Sequence, residues 1–159
     1  MKKDIFIDNN IANKFSNPQD KEYIKLTEWL LHFDIKDLEN INEYAHLVVS
    51  KKLLVEYLRS NQNTFVNTSI PMIVAELQKQ GRLIFISNDE IKEFKNKFYT
   101  KTVEKKLKCN NEDREHLPVV LLSDRKYALS LDENFIFDLK NFKGYNVTIE
   151  KRPQDLNYK

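Results

Sequence analysis

Four acidic residues far apart in the chain, Asp8, Glu56, Asp113 and Asp132, stand where alternating strands and helices would bring them to one place. Asp8 ends the apolar run DIFID, and Asp132 directly follows YALSL. Glu56 follows Ser50 by one and a half helical turns, and Asp113 opens the segment leading into YALSL. Carboxylates gathered this way repel one another and raise each other's pKa values. The grouping makes sense if it holds Mg²⁺ or Mn²⁺, which prefer carboxylate and water oxygens. Such ions lower the pKa of a bound water and stabilise charge developing on phosphate, so the chemistry implied is phosphodiester hydrolysis. A plainer reading stands beside it. Asp89, Glu90, Glu112, Glu115, Glu133 and Glu150 fall near the same edge, and acids favour helix starts for capping and dipole reasons.

The elements that must position these acids are legible as five short β-branched or aromatic runs. They are Asp4–Asp8, His46–Ser50, Leu83–Ser87, Tyr127–Leu131 and Asn146–Glu150. The first three are nearly continuous in apolar residues, as strands buried on both faces should be. Helical spacing fills the intervals. Asn17-Pro18 predicts a helix start, with Tyr23, Leu26, Leu30 and Phe33 on its apolar face. Ser50 caps a helix reaching about Ser60, and Thr68 or Ser69 opens another that Gly81 ends. Ser87 and Glu90 have capping-box spacing and begin a charged helix expected to run to about Lys108. A further helix is expected between Asn111 and Arg125, and a last one from about Asn134 to Phe142.

Strands alternating with helices imply right-handed crossovers. The expected fold is therefore α/β, a three-layer sandwich with a mainly parallel five-stranded sheet. Ligands of such sheets gather at the carboxyl ends of the strands, near the point where strand order reverses. Asp8 and Asp132 lie at strand ends, and Glu56 lies early in the helix leaving the second strand. Asp113 opens a helix whose start returns to the same edge.

Composition narrows the possibilities. A chain of 159 residues, 41% hydrophobic and 31% charged, suits one folded domain. Residues 1–152 are read as that domain and 153–159 as a flexible tail. A net charge of +2 is too small for a bulk polycation, so any nucleic-acid contact must be a local patch. The single cysteine excludes an internal disulfide and fits a reducing cytoplasm. Asp4 and Asp8 interrupt any signal-like apolar segment, and the longest apolar run, Leu117–Leu122, is too short for a membrane.

With those residues in view, the chain resembles the PIN domain, the fold of many toxin ribonucleases and some RNA-processing nucleases. The resemblance runs from about Asp4 to Glu150. Asp8-Asn9-Asn10 looks like the family's opening Asp-x-Asn element, and HLVVSKKLLVE (His46–Glu56) looks like its second strand and glutamate-bearing helix. Asp113 in EDREHL is similar to the third acid, and LSLDENF (Leu129–Phe135) resembles the strand-Asp-x-Asp-Phe element with Asp132 as the fourth. The resemblance implies an RNA-cutting endonuclease in which these four acids bind one or two Mg²⁺ or Mn²⁺ ions, leaving 5′-phosphate and 3′-hydroxyl ends. It further implies a toxin–antitoxin or defence setting, with an antitoxin or immunity protein as partner. Two departures stand out. Asn134 replaces an acid often found in the family, and Pro118 should kink or end the helix carrying Asp113, so Glu112 or Glu115 remains an alternative ligand.

Other residues carry weaker signals. Asn10 either orients Asp8 and substrate or caps the following helix. Ser50 reads as a cap, since no His–Asp pair is placed to activate it. His116 falls near the site but reads more simply as a surface or core histidine. The lysines from Lys92 to Lys108, interleaved with Phe94, Phe98 and Tyr99, offer an RNA path or merely a solvated helix over buried aromatics. Lys51 and Lys52, beside Glu56, are the better-placed phosphate contacts. Trp29, Leu30 and Phe33 offer a partner or homodimer surface, with core packing the default. The rival functions are a catalytically inactive PIN-like module binding RNA or protein, and an unrelated nucleotide-binding α/β domain. The latter is weakened by the lack of a glycine-rich phosphate loop, because Gly81 and Gly144 are the only glycines.

Overall fold

The computed structural model describes residues 1–16, 18–61 and 66–159. Five strands, β1 (Lys3–Ile7), β2 (Ala45–Ser50), β3 (Leu83–Ile86), β4 (Tyr127–Leu129) and β5 (Thr148–Glu150), form one sheet in the order β3-β2-β1-β4-β5. Every pairing is parallel. The apolar runs explain the centre of this order: Ile5, Phe6, Ile7, Leu47, Val48 and Val49 are fully buried, as strands covered on both faces require. Chain direction across the sheet reverses once, after β3, where the next strand crosses to the far side of β1. That reversal places a switch point beside β1, whose carboxyl end carries Asp8.

Helices flank the sheet in two groups. On one side α2 (Lys21–Leu31), α3 (Lys51–Ser60) and α4 (Ile70–Lys79) pack on one another and on β2. From the other group come α5 (Asn88–Phe98), α6 (Lys101–Lys106), α7 (Asn111–Arg114), α8 (Leu117–Leu121) and α9 (Glu133–Lys140), with α8 against α5 and β2 and α9 against β5. A short α1 (Asn9–Ala12) follows β1 directly. Caps act where expected: Ser50 Oγ accepts from Leu53 N at 3.2 Å, Ser87 and Glu90 form the reciprocal box, and Gly81 follows α4 at φ 71°.

Several boundaries differ from expectation, each for a local reason. The first long helix starts at Lys21, where Asp20 caps by accepting from Glu22 N at 2.9 Å. Asn17, expected as its cap, lies outside the described residues. The helix expected to reach Lys108 breaks at Tyr99, because Thr100 Oγ1 accepts from Val103 N and starts α6 afresh. The helix expected over 111–125 is split into α7 and α8. Pro118 has no N–H for the Arg114 carbonyl, and that carbonyl instead accepts from the Tyr99 hydroxyl at 2.5 Å.

Residues 153–159, expected as a flexible tail, are docked. Pro153, Leu156 and Tyr158 are buried, Tyr158 meets Trp29 edge-to-face at 4.8 Å, and its carbonyl accepts from Arg125 Nη1 at 3.0 Å. The apolar residues spaced through that polar segment account for the docking. Trp29, Leu30 and Phe33 are likewise engaged within the chain. Leu30 is fully buried, and Phe33 lies between Tyr44, at 5.1 Å, and the Arg82 guanidinium, at 5.0 Å. No helix among the described residues is long and apolar enough to cross a membrane.

Candidate metal centre

Asp8 leaves β1 as the cap of α1. Its Oδ1 accepts from Asn9 N at 2.8 Å, and its Oδ2 accepts from Ser130 Oγ at 2.6 Å and Asn10 Nδ2 at 3.2 Å. Asn10 also accepts from Leu131 N at 3.1 Å, so its side chain laces the end of β1 to the exit of β4. Of its two sequence-based readings, the structure selects the one that orients Asp8.

Ser130 does the same for the fourth acid. While donating to Asp8, its Oγ accepts from Asp132 N at 3.1 Å. Asp132 itself caps α9 by accepting from Phe135 N at 2.9 Å. One buried hydroxyl thus ties the Asp8 carboxylate to the backbone of the turn that carries Asp132.

A buried histidine meets the Glu56 carboxylate. His116 is buried, and its Nε2 sits 3.1 and 3.0 Å from the two carboxylate oxygens of Glu56. Its backbone N–H donates to the Asp113 carbonyl at 2.9 Å. The break forced by Pro118 places His116 at the junction of α7 and α8, where it turns inward. Glu56 is anchored from behind: its neighbour Tyr57 is buried in α3 and donates its hydroxyl to the Ile7 carbonyl at 2.5 Å.

The charges of the four acids act on one another. Burial pushes the Asp113 carboxyl up to about 6, and the charges of Asp132, Asp8 and Glu56 add to that push while His116 opposes it. Asp8 is also raised, first by burial and further by Glu56, although the Ser130 hydrogen bond and His116 pull the other way. Of the alternatives to Asp113, Glu115 is paired with Lys95, and Glu112 is exposed beside a neighbouring groove.

The donor set is carboxylate oxygen throughout, which suits Mg²⁺ or Mn²⁺. Among the described residues, however, no three His, Cys, Asp or Glu side chains close tightly enough on one point to hold an ion as they stand. Two of the four acids show why. Glu56 turns both oxygens to His116, and Asp132 spends one on the cap of α9.

Beside the acids, Lys51, Lys52 and Arg59 of α3 line a groove of about 380 Å³ with Glu56, Asn88 and Glu112. Asn88 also borders a smaller depression with Lys92 and Lys95. Phe94 and Phe98 are not stacking platforms in this path. They meet each other at 4.6 Å and pack with Phe142 and Tyr145. Sequence reasoning passed over Ser130 and Arg59 and set His116 aside. A lone serine at a strand exit carries no pattern, whereas a histidine three residues after a candidate ligand was a usable signal.

The sequence matches no protein-family model and no curated protein. Among solved structures, the chain is similar to one in the crystal structure of VapBC2 from Rickettsia felis bound to a DNA fragment from their promoter. The TM-score is 0.54 and the identity 14%, with 94% of this chain and 98% of that chain covered. A likeness at that identity speaks for the fold. The fold is PIN-like, an α/β architecture with an all-parallel five-stranded sheet flanked by helices.

Proposed function

We propose that this protein is a metal-dependent endoribonuclease that hydrolyses RNA at the carboxyl rim of its sheet. The observation that carries the reading is that the charges of Asp132, Asp8 and Glu56 all act on the half-buried Asp113 carboxyl, while Ser130 fixes the Asp8 carboxylate and His116 that of Glu56. Asp8, Glu56, Asp113 and Asp132 would hold Mg²⁺ or Mn²⁺, which when bound would activate water and offset charge developing at phosphorus. Lys51, Lys52 and Arg59 would take the flanking phosphates, attracting the strand by charge without reading its bases. The PIN resemblance and the likeness to VapBC2 support a place in a toxin–antitoxin or related defence pair, acting in the cytoplasm with an antitoxin as partner.

The test is cleavage of end-labelled RNA with Mn²⁺, with chelator, and with Asp8→Asn. Cleavage is expected only with metal and native Asp8, and the metal should raise the melting temperature of the native protein alone. Cleavage that survives Asp8→Asn in contaminant-free protein would remove the assignment. A second reading, a catalytically silent RNA-binding module, is favoured by the engagement of Glu56 and Asp132 with partners inside the chain. It predicts a gel shift of intact RNA, indifferent to chelator.

A further inference from the structure

We propose that the cleft between α6 and the end of α9 binds a small amphipathic organic anion, an apolar chain or ring carrying one acidic head. The cleft has a volume of about 420 Å³, within the usual range for ligand sites. Its lining is apolar in the main: Phe98, Val103 and Leu107 are half-buried and Phe142 is buried. Lys97, Lys106 and Lys143 complete it with three cations from three segments.

The chain's own folding leaves this cleft open. Thr100 ends α5 and restarts the chain as α6, so Val103 and Leu107 do not extend the buried stripe of Ile91 and Phe94. Asp138 of α9 then pins the exit of α6, its carboxylate accepting from Lys108 N at 2.9 Å and Cys109 N at 2.8 Å. These bonds hold the walls apart from collapse and spend the one carboxylate of the lining on backbone. Apolar surface left facing water is a cost that a covering ligand removes.

Charge selects the ligand's head. Lys97 Nζ lies 5.3 Å from the centre of the Phe98 ring, a cation directly beside the apolar wall. Among the described residues none of Lys97, Lys106 and Lys143 has an ion-pair partner, whereas Lys95 and Lys140 on the same helices pair with Glu115 and Glu150. Helix ends favour cations, and each of the three stands at or just past one. That preference does not explain why three helices turn theirs to a single apolar cleft. An ammonium is a compact point charge without a fork, so it accepts any anionic head. RNA fits less well, because a base needs a free ring face and Phe98 is packed with Phe94 at 4.6 Å and Tyr145 at 5.8 Å. The cleft shares no lining residue with the groove of Lys51 and Arg59, so the inference stands without the nuclease reading.

The test is an amide NMR titration with three probes that share a ten-carbon chain, kept below micelle formation: decanoate, decanol and decyltrimethylammonium. Decanoate should give saturable shifts at Val103, Leu107 and Phe142. Decanol should bind about tenfold more weakly, and the cation should leave these amides unmoved. In a variant combining Lys97→Gln, Lys106→Gln and Lys143→Gln, decanoate should fall to the level of decanol while decanol itself is unchanged. All three side chains are exposed, so the fold should persist. The proposal is overturned if decanoate gives no saturable shift at the cleft, if the cation binds equally well, or if the combined variant keeps its decanoate affinity. A short RNA that moves these amides where decanoate does not would overturn it in favour of an RNA path.

Discussion

Asp4 lies near the start of β1 and Asp8 directly follows its last residue, and the chain treats them in opposite ways. At the amino rim Asp4 is fully buried and accepts from Asp124 N at 2.7 Å and Arg125 N at 2.9 Å. The Arg125 guanidinium donates to the Asp4 carbonyl at 3.1 and 3.0 Å, so charge and backbone are satisfied together. Arg82 near the same rim is also fully buried and donates to the Ala45 carbonyl at 2.6 Å. At the carboxyl rim, Asp8 and Asp113 face further acids, and burial raises both carboxyls. Buried charge at one rim is matched for stability. At the other it is left mismatched, which a folded chain tolerates where a cation or substrate completes the balance.

Isosteric Asp→Asn changes should therefore have opposite consequences at the two rims. The largest effect is expected for Asp132→Asn, which keeps an oxygen for the Phe135 N–H but removes a charge. Cleavage should fall about 10²- to 10³-fold, several kcal/mol of transition-state stabilisation, with the melting temperature nearly unchanged. A matching collapse in thermal stability would mean that Asp132 is only a cap. Next comes Asp4→Asn, which removes a buried negative charge and sets an amide NH₂ against one of the two backbone N–H donors of Asp124 and Arg125. A loss of about 3 kcal/mol, or roughly 6–12 °C in melting temperature, is expected while the folded fraction cleaves as before.

Stability against pH sharpens the contrast. The Asp113 carboxyl moves from its ordinary 3.8 to about 6 in the folded protein, so the folded state holds that proton longer than the unfolded chain. Its contribution to stability is present below about pH 4, declines as pH rises to about 6, and is flat above. The amplitude should be on the order of 1 kcal/mol once partial exposure is allowed for. In Asp113→Asn the melting curves should lose this decline, and an unchanged pH profile would show that Asp113 does not feel the other acids. Cleavage should run the other way, rising through about pH 6 as the ligand is freed. The smallest effect belongs to Ser130→Ala, which removes the 2.6 Å donor to Asp8. A three- to tenfold weaker Mn²⁺ affinity, about 1 kcal/mol, is expected by calorimetry.

How much of this was legible in the sequence follows the same division. The strands were readable because β1 and β2 are continuous apolar runs, a signal that depends only on burial. Ser50, Ser87 and Gly81 announced helix ends through local hydrogen bonding and backbone freedom. Thr100 was a cap hidden inside a charged, helix-like stretch, and only the refolded first turn of α6 reveals it. Pro118 was seen as a break, but not that the break would turn His116 towards Glu56. Asp8, Glu56, Asp113 and Asp132 were placed at one rim by topology. The contacts of Ser130 with Asp8 and of His116 with Glu56 join distant segments, and no spacing rule encodes those.

Tyr57 adds a consequence for motion. By donating its hydroxyl to the last carbonyl of β1, it locks the middle of α3 to the strand that ends beside Asp8. Glu56 and Asp8 are thereby carried on a single stiff unit. Asp113 and His116 ride on two helices of four and five residues joined at a kink. Any breathing that admits a long polymer to the rim would be taken up by that jointed segment, with the strand and α3 as its fixed jaw.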